Sequence, residues 1–223
     1  MTISLFLYVL IVLALLIAEL REDRRAQYFF KPLAAFGFVI LALQFGALES
    51  TYGTYILTGL IACAVGDVFL LARKSQALFI AGMVAFAMGH VIYLGAFAAN
   101  PEPLVINVVD PGFSLPRTIL LVPIVIAFIL GLVVYRDKFL ELSKTMKFAI
   151  AIYAIIIFSM MFFACNIERM RMRIFVPIAA TIFAISDMFV AKDRFVKPNP
   201  KNALVITPLY FGAQALFALS VSI

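Results

Sequence analysis

Two aspartates interrupt long apolar runs of this chain, and both have similar neighbours. Asp67 lies in AVGDVFLLARK (64–74) and Asp187 in AISDMFVAK (184–192); each follows a small residue and precedes a Phe by two positions. A charged carboxylate at the middle of a bilayer costs about 2.5–3.5 kcal/mol, so such groups usually face the interior of a helix bundle and serve a function. We therefore predict that both carboxyl groups carry chemistry. A purely structural hydrogen bond to a neighbouring helix is the alternative.

The two aspartates are expected at a similar depth in the membrane. With a rise of about 1.5 Å per residue, Asp67 lies about 9 Å from Arg73, and Asp187 lies about 7.5 Å from Lys192. Both basic residues mark the end of an apolar segment on the same side of the membrane. The sequence therefore predicts that the two carboxyl groups share one cavity.

Five further polar residues are candidates for binding or supporting roles. Tyr210 and Gln214 are four residues apart and so share a helix face, and Lys31 begins an apolar segment at the same membrane surface. His90 and Tyr93, three residues apart, also share a face but lie deeper. Each has an ordinary alternative, such as packing, interhelical hydrogen bonding or a lysine that reaches to the interface. Their convergence on one half of the membrane favours a functional site.

The available side chains argue against two classes of hydrolase. One His and two distant Cys, Cys63 and Cys165, supply too few ligands for a zinc hydrolase, and no G-x-S-x-G motif indicates a serine hydrolase. We predict no metal and no other cofactor. Two carboxyl groups in a pocket of low dielectric suit acid/base catalysis, with one protonated and one ionised near pH 7.

The elements that position these residues are predicted to be membrane-spanning helices. Hydrophobic residues make up 65% of the 223 residues and charged residues 13%, whereas soluble domains are about half apolar and a quarter charged. We predict an all-α polytopic membrane protein, a single domain over residues 1–223 with a bundle of eight transmembrane helices. The spans are about 2–20, 32–48, 52–72, 76–98, 117–135, 146–165, 174–191 and 203–222.

The distribution of basic residues predicts the orientation. Alternating spans place 14 of the 18 Lys and Arg residues on one side, which is therefore predicted to be cytoplasmic, with both termini outside the cytoplasm and the site toward the cytoplasmic half. Arg169, Arg171 and Arg173 run against this orientation. The net charge of +6 thus reflects topology, and no nucleic-acid partner is predicted. The proline-rich connection 100–117 is predicted to be a loop outside the bilayer.

The order and spacing of several motifs resemble the YhhN family of membrane proteins, whose members include lysoplasmalogenases. The resemblance covers most of the chain. It rests on KPL (31–33), GDVFLL (66–71), FIAGMVAFAMGHVIY (79–93), the helix with Tyr153 and Met160, ISDMFVA (185–191) and TPLYFGAQ (207–214).

The resemblance implies hydrolysis of the vinyl ether bond of lysoplasmalogens. The products would be a fatty aldehyde and glycerophosphoethanolamine or glycerophosphocholine, and the partners would be a lysophospholipid substrate and the lipid bilayer. The implied active-site positions are Lys31, Asp67, His90, Tyr93, Asp187, Tyr210 and Gln214.

This reaction fits the residues. Vinyl ethers hydrolyse by proton transfer to the alkene carbon, and water then captures the oxocarbenium ion, which needs a positioned acid and a nearby carboxylate. We expect Asp67 and Asp187 to share these roles, without deciding which is the acid. Tyr210 and Gln214 are expected to position the water or the ether oxygen, and Lys31 to meet the phosphate.

Three other classes of protein are alternatives to the hydrolase. A proton-coupled transporter could use the same aspartate pair, but inverted repeats would favour it, and the two similar aspartate stretches lie on helices that run in the same direction. An intramembrane aspartyl protease pairs Tyr-Asp with Gly-x-Gly-Asp, whereas here Asp67 follows Gly66 in AVGD and Asp187 follows Ser186. A scaffold protein would leave the buried acids unexplained.

Overall fold

The computed structural model describes residues 2–72, 75–99, 121–167 and 172–222. Within these ranges the chain forms nine α-helices and two short 3₁₀ helices, Pro200–Asn202 and Ser220–Ser222. The α-helices are α1 (Thr2–Leu20), α2 (Arg24–Gln44), α3 (Thr51–Leu70), α4 (Gln76–Ala98), α5 (Leu121–Val134), α6 (Arg136–Glu141), α7 (Lys144–Cys165), α8 (Met172–Phe195) and α9 (Ala203–Leu219).

Seven helical segments of the described chain are long and apolar enough to cross a membrane. They are Ile3–Leu20, Arg24–Gln44, Thr51–Leu70, Gln76–Ala98, Lys144–Cys165, Phe175–Phe195 and Pro200–Ser222. Large apolar side chains such as Phe6, Phe36, Met88 and Ile155 are more than half exposed, as expected of a surface that meets lipid. The described part of the chain is all-helical, and the protein is a multi-pass integral membrane protein, as predicted.

The eighth predicted span, 117–135, is only partly represented. Helix α5 has 14 apolar residues and is about 21 Å long by the helix rise, shorter than the roughly 30 Å hydrocarbon core. Residues 117–120 lie outside the described residues, as do residues 100–116 of the predicted loop. The eighth crossing, the single-domain organisation and the orientation of the termini stay predictions.

Helix α2 begins at Arg24, eight residues before the start of the predicted span. The side chain of Asp23 accepts hydrogen bonds from the backbone amides of Arg25 and Ala26, at 3.0 and 3.2 Å, and so caps the helix. The sequence prediction followed hydropathy and missed this polar first turn. Lys31 therefore lies two turns inside α2 rather than at its start.

The long helices form a ring that α9 completes. Helices α1, α2, α3, α4, α7 and α8 each contact the next, and α9 contacts α8, α1, α2 and α3. Helix α5 lies against α7 and α8. This arrangement brings the two aspartate-bearing helices, α3 and α8, to one space that α2, α4, α7 and α9 also line.

The most extensive helix pair is α3 with α4, and glycines allow its close approach. A Cβ atom at Gly59 would lie 2.4 Å from Cε1 of Tyr93, and one at Gly66 would lie 2.7 Å from Cε2 of Phe86. Such distances are shorter than atoms can approach without moving. Small residues commonly permit this contact between membrane helices. Here they hold two aromatic side chains of α4 against the helix that carries Asp67.

Candidate functional site

A cavity of about 400 Å³ lies within the bundle and contains both aspartates. Its wall is mostly apolar and comes from α2, α3, α4, α5, α7, α8 and α9, together with α6. Asp67, Asp187, Lys31 and Tyr210 line it, as the sequence analysis predicted for a shared site. His90, Tyr93 and Gln214 do not line it.

Asp67 is held by two groups from other helices. Its carboxylate is 2% exposed, and Oδ2 accepts a hydrogen bond of 2.5 Å from the hydroxyl of Tyr210. The Nζ atom of Lys31 lies 3.4 Å from Oδ1. Helices α2 and α9 thus each provide a donor to a carboxyl group on α3, and both donors stabilise the ionised form of a buried acid.

Asp187 has a different partner, Tyr153 of α7. The Tyr153 hydroxyl donates a hydrogen bond of 2.6 Å to Oδ2 of Asp187, and both residues line the cavity. Among the residues that the structure describes, no ammonium or guanidinium group lies within ion-pair distance of Asp187. The two acids therefore each have a phenol donor, and within the described part of the chain only Asp67 also has a cation.

Tyr153 lines the cavity but is not among the site residues predicted from the sequence. Its helix contributed to the family resemblance. The chain has eight tyrosines, and no acidic residue or polar residue at helical spacing on α7 distinguishes Tyr153 from the others. Its distance from Asp187 along the chain is 34 residues, so only helix packing makes the pair.

A hydrogen-bonded chain extends from Asp67 away from the cavity. The side-chain amide of Gln214 donates to the Tyr210 hydroxyl at 3.2 Å, and Tyr93 donates to Oε1 of Gln214 at 2.8 Å. Gln214 and Tyr93 are fully buried. They are therefore linked to Asp67 through Tyr210 and do not line the cavity.

His90 is fully buried behind the cavity wall. Its Nδ1 lies 2.6 Å from the Phe86 carbonyl oxygen, which requires a proton on that nitrogen, and Nε2 has no partner among the described residues. The imidazole packs edge-on against Tyr153 and Phe183, with ring centroids 5.5 and 4.6 Å apart. The structure therefore places His90 next to the phenol that binds Asp187.

Several basic side chains also line the cavity. Lys192 and Arg194 belong to the last turn of α8, and Lys138 belongs to α6. The Arg194 guanidinium lies 4.2 Å from the centroid of the Phe79 ring, while Lys138 pairs with Glu141. The cavity thus combines two carboxyl groups and several cationic side chains within mostly apolar walls.

This arrangement suits proton transfer to and from a molecule with an apolar chain and an anionic group. Carboxyl groups at one cavity can donate and accept protons in the same reaction, and the water-poor surroundings strengthen their electrostatic effect. No group of three or more His, Cys, Asp or Glu residues that could hold a metal ion occurs within the described ranges.

Comparison with known proteins gives consistent matches. The family model described as the YhhN family matches residues 26–221. "Lysoplasmalogenase TMEM86A" from Bos taurus is 29% identical over 196 residues, which cover 85% of this chain and 74% of that protein. "Lysoplasmalogenase TMEM86B" from Homo sapiens is 32% identical over 168 residues, which cover 75% of this chain and 63% of that protein. The Rattus norvegicus TMEM86B is 30% identical, with 75% and 61% covered.

The match to both TMEM86B proteins spans less than two thirds of their length. No solved structure matches the chain.

Proposed function

The chain belongs to the YhhN family, and on this premise we propose that it is a membrane-embedded lysoplasmalogenase. It hydrolyses the vinyl ether bond of a lysoplasmalogen, with ethanolamine or choline as head group, to a fatty aldehyde and the glycerophospho-base. The observation that carries the proposal is the sharing of one apolar cavity by Asp67 and Asp187, each with its own phenol donor. The names of the curated relatives supply the substrate class.

The reaction needs one proton donor and one carboxylate. A proton adds to the alkene carbon next to the ether carbon, and positive charge develops on the ether carbon and its oxygen. Water adds to that carbon and loses a proton. The hemiacetal hydroxyl then loses its proton as the carbonyl forms, the bond to the glycerol oxygen breaks, and that oxygen takes up a proton, giving aldehyde and alcohol. The donor must reach the alkene carbon, and the carboxylate must lie near the cation and the water.

We assign the carboxylate role to Asp67. Lys31 and Tyr210 both stabilise its negative charge, and that charge in turn stabilises the oxocarbenium ion and accepts a proton from the attacking water. The expectation that Lys31 meets the phosphate gives way to this role, because its ammonium group is 3.4 Å from Asp67.

We assign the proton-donor role to Asp187. The Tyr153 hydroxyl binds Oδ2, which leaves Oδ1 to carry the transferable proton. The absence of a nearby cation among the described residues suits a carboxyl group that is neutral before the reaction. Glycosidases divide acid and carboxylate roles between two side chains in the same way, which is an analogy of mechanism only.

The test is aldehyde release by the purified protein in detergent, with lysoplasmenyl-ethanolamine and lysoplasmenyl-choline as substrates. Asp67→Asn and Asp187→Asn should each lower the rate at least about a hundredfold, the usual range for general acid–base catalysis. Asp137→Asn, on the exposed surface of α6, is the matched control and should retain the wild-type rate. A wild type that releases no aldehyde from either lipid would refute the function, and active Asn variants would refute the mechanism.

A proton-coupled transporter is the second candidate. The chain Asp67–Tyr210–Gln214–Tyr93 leads away from the cavity, as a proton path would. Proton flux in sealed vesicles that both Asn variants abolish, without aldehyde release, would favour the transporter over the hydrolase.

A further inference from the structure

We propose that the alkenyl chain of the lysophospholipid lies against α5, in space that Gly131 leaves free, and that residue 131 therefore determines which chain lengths the enzyme accepts. The occupant is the single unbranched hydrocarbon chain of the substrate, bound within the catalytic cavity. This inference rests on the proposed hydrolase function, because it concerns the hydrocarbon part of the same substrate.

Gly131 leaves unfilled space at the cavity. It lines the cavity, and a Cβ atom built on it would have no heavy atom of the described residues within 4 Å. The glycines of α3 differ, because a Cβ atom at Gly59 or Gly66 would lie 2.4 or 2.7 Å from an aromatic ring. Close packing against another described helix therefore does not account for Gly131, and the space beside it can hold a ligand.

That space lies on the side of α5 that faces the bundle. Ile124 is seven residues before Gly131, hence two turns away on the same face, and is 6% exposed. Val133, nine residues after Ile124 and on the opposite face, is 65% exposed. Phe128, three residues before Gly131, packs edge-on against Phe158 of α7, with ring centroids 5.4 Å apart. A side chain at position 131 would therefore point into the cavity rather than toward lipid.

Contacts of α7 with α5 and α6 place Gly131 near the level of Tyr153. Lys147, near the start of α7, donates a hydrogen bond of 2.9 Å to a backbone carbonyl oxygen of α6. The Phe128–Phe158 contact lies farther from α6 along both helices, so α5 and α7 run antiparallel. Gly131 is three residues from Phe128 toward α6, and Tyr153 is five residues from Phe158 in the same direction. Their backbones therefore lie within about one helical turn of each other in level.

Beyond this level, away from α6, the cavity walls of α5 and α7 are apolar. Their lining residues there are Ile124, Ala127, Phe128, Ala154, Ile157 and Phe158. In the other direction the wall includes the charged Lys138 of α6. A hydrocarbon chain gains by contact with apolar surface, so the chain of a substrate whose vinyl ether lies beside Asp187 and Tyr153 extends past Gly131 toward Ile124.

This path makes residue 131 a determinant of specificity. A larger side chain there would occupy the space that the alkenyl chain fills, while the groups that contact the vinyl ether stay in place. Each methylene group that the cavity buries contributes about fourfold in affinity, so displaced methylene groups reduce binding of long chains more than of short ones.

The first measurement compares aldehyde release from two lysoplasmenyl-ethanolamines, one with an alkenyl chain of about 8 carbons and one of about 16, as a test of buried methylene groups. The wild type should have the higher kcat/KM for the long chain. Gly131→Leu should lower the long-to-short ratio of kcat/KM at least about tenfold, roughly the value of two methylene groups, mainly by raising KM of the long substrate. An unchanged ratio in Gly131→Leu, whatever the absolute rates, would overturn the proposal.

Two further variants control for folding and for added volume. Gly131→Ala adds one carbon and favours the helix, so it should fold and lower the ratio about fourfold; it decides by the same ratio if Gly131→Leu does not fold. Val133→Phe adds volume on the exposed face of α5, outside the cavity, and should leave the ratio unchanged. A loss in Val133→Phe as large as that in Gly131→Leu would refute a cavity-specific effect.

The second measurement does not depend on catalysis. Thermal stabilisation reports binding of 1-alkyl lysophosphatidylethanolamines, whose saturated ether has no alkene carbon to protonate. The wild type should be stabilised more by the long analogue than by the short one, and Gly131→Leu should lose most of that difference. Such binding without aldehyde release from any substrate would support the chain site and overturn the hydrolase. Aldehyde release with a chain-length preference that neither Gly131 variant changes would overturn the chain site and leave the hydrolase standing.

Discussion

Replacing Tyr210 by phenylalanine removes one oxygen atom from the centre of the hydrogen-bonded chain that ends on Asp67. That oxygen donates to Oδ2 of Asp67 at 2.5 Å and accepts from Gln214 at 3.2 Å. The ring itself packs edge-on against Phe86 and Phe183, with centroids 5.8 and 5.4 Å away. Phenylalanine keeps these ring contacts, so the substitution tests the hydroxyl alone.

The expected loss follows from the hydrogen bond to a charged group. Such a bond contributes about 1.5–3 kcal/mol, which corresponds to a fall of about 10- to 150-fold in kcat/KM if the Asp67 carboxylate is needed in the transition state. Without the phenol, Asp67 retains only Lys31 among its described partners. Loss of an interaction made in the transition state should lower kcat rather than raise KM.

The assay is the initial rate of aldehyde release, measured with thermal stability as a check on folding. Tyr52→Phe is the matched control, because it deletes another buried hydroxyl, one that bonds to Ser220 at 2.7 Å and does not line the cavity. It should lower Tm without a specific loss of kcat. A kcat/KM of Tyr210→Phe within about twofold of the wild type would be a smaller loss than one hydrogen bond to a charged group contributes. In that case Asp67 does not depend on this donor, and the assigned role is wrong.

Two further substitutions test the charge pair and the helix contact. Lys31→Met should lower kcat/KM at least about tenfold, because Asp67 loses its cation. Lys31→Arg keeps the charge and should retain most of the activity. A wild-type rate for Lys31→Met would contradict the pairing. Gly59→Ala should lower Tm in a melting experiment, because overpacking costs about 1–3 kcal/mol and a Cβ only 2.4 Å from Cε1 of Tyr93 belongs to the upper part of that range, above the roughly 1 kcal/mol gained in helix propensity. Gly95→Ala is its control, since the added methyl group would meet only ordinary contacts, so a Tm as low as that of Gly59→Ala would argue against the steric explanation.

The expectation that the two acids lie at a similar depth depends on a fixed property of the helix, and it stays a prediction. The rise per residue places Asp67 and Asp187 at similar distances from their basic helix ends, whatever the packing. The structure places both at one cavity, as predicted. The family assignment was likewise confirmed by the match over residues 26–221.

Which of the supporting residues line the cavity could not be predicted from helix geometry. Tyr210 and Gln214 share a helix face, but only Tyr210 reaches the cavity, while Gln214 lies behind it with Tyr93. Spacing along one helix gives the face but not the depth of burial, which depends on how closely the neighbouring helices approach. Tyr153 was missed for the same reason.

The sequence by itself determined that this chain lies in a membrane and that two carboxyl groups lie inside its apolar helices. Hydropathy and helix geometry determine both features, because each can be read from one stretch of sequence without knowing how the helices pack. Only the tertiary structure decided that Asp67 pairs with Lys31 and Tyr210 while Asp187 pairs with Tyr153. Each pair joins different helices, and its formation depends on the rotation and separation of those helices in the bundle, which side-chain packing between them sets.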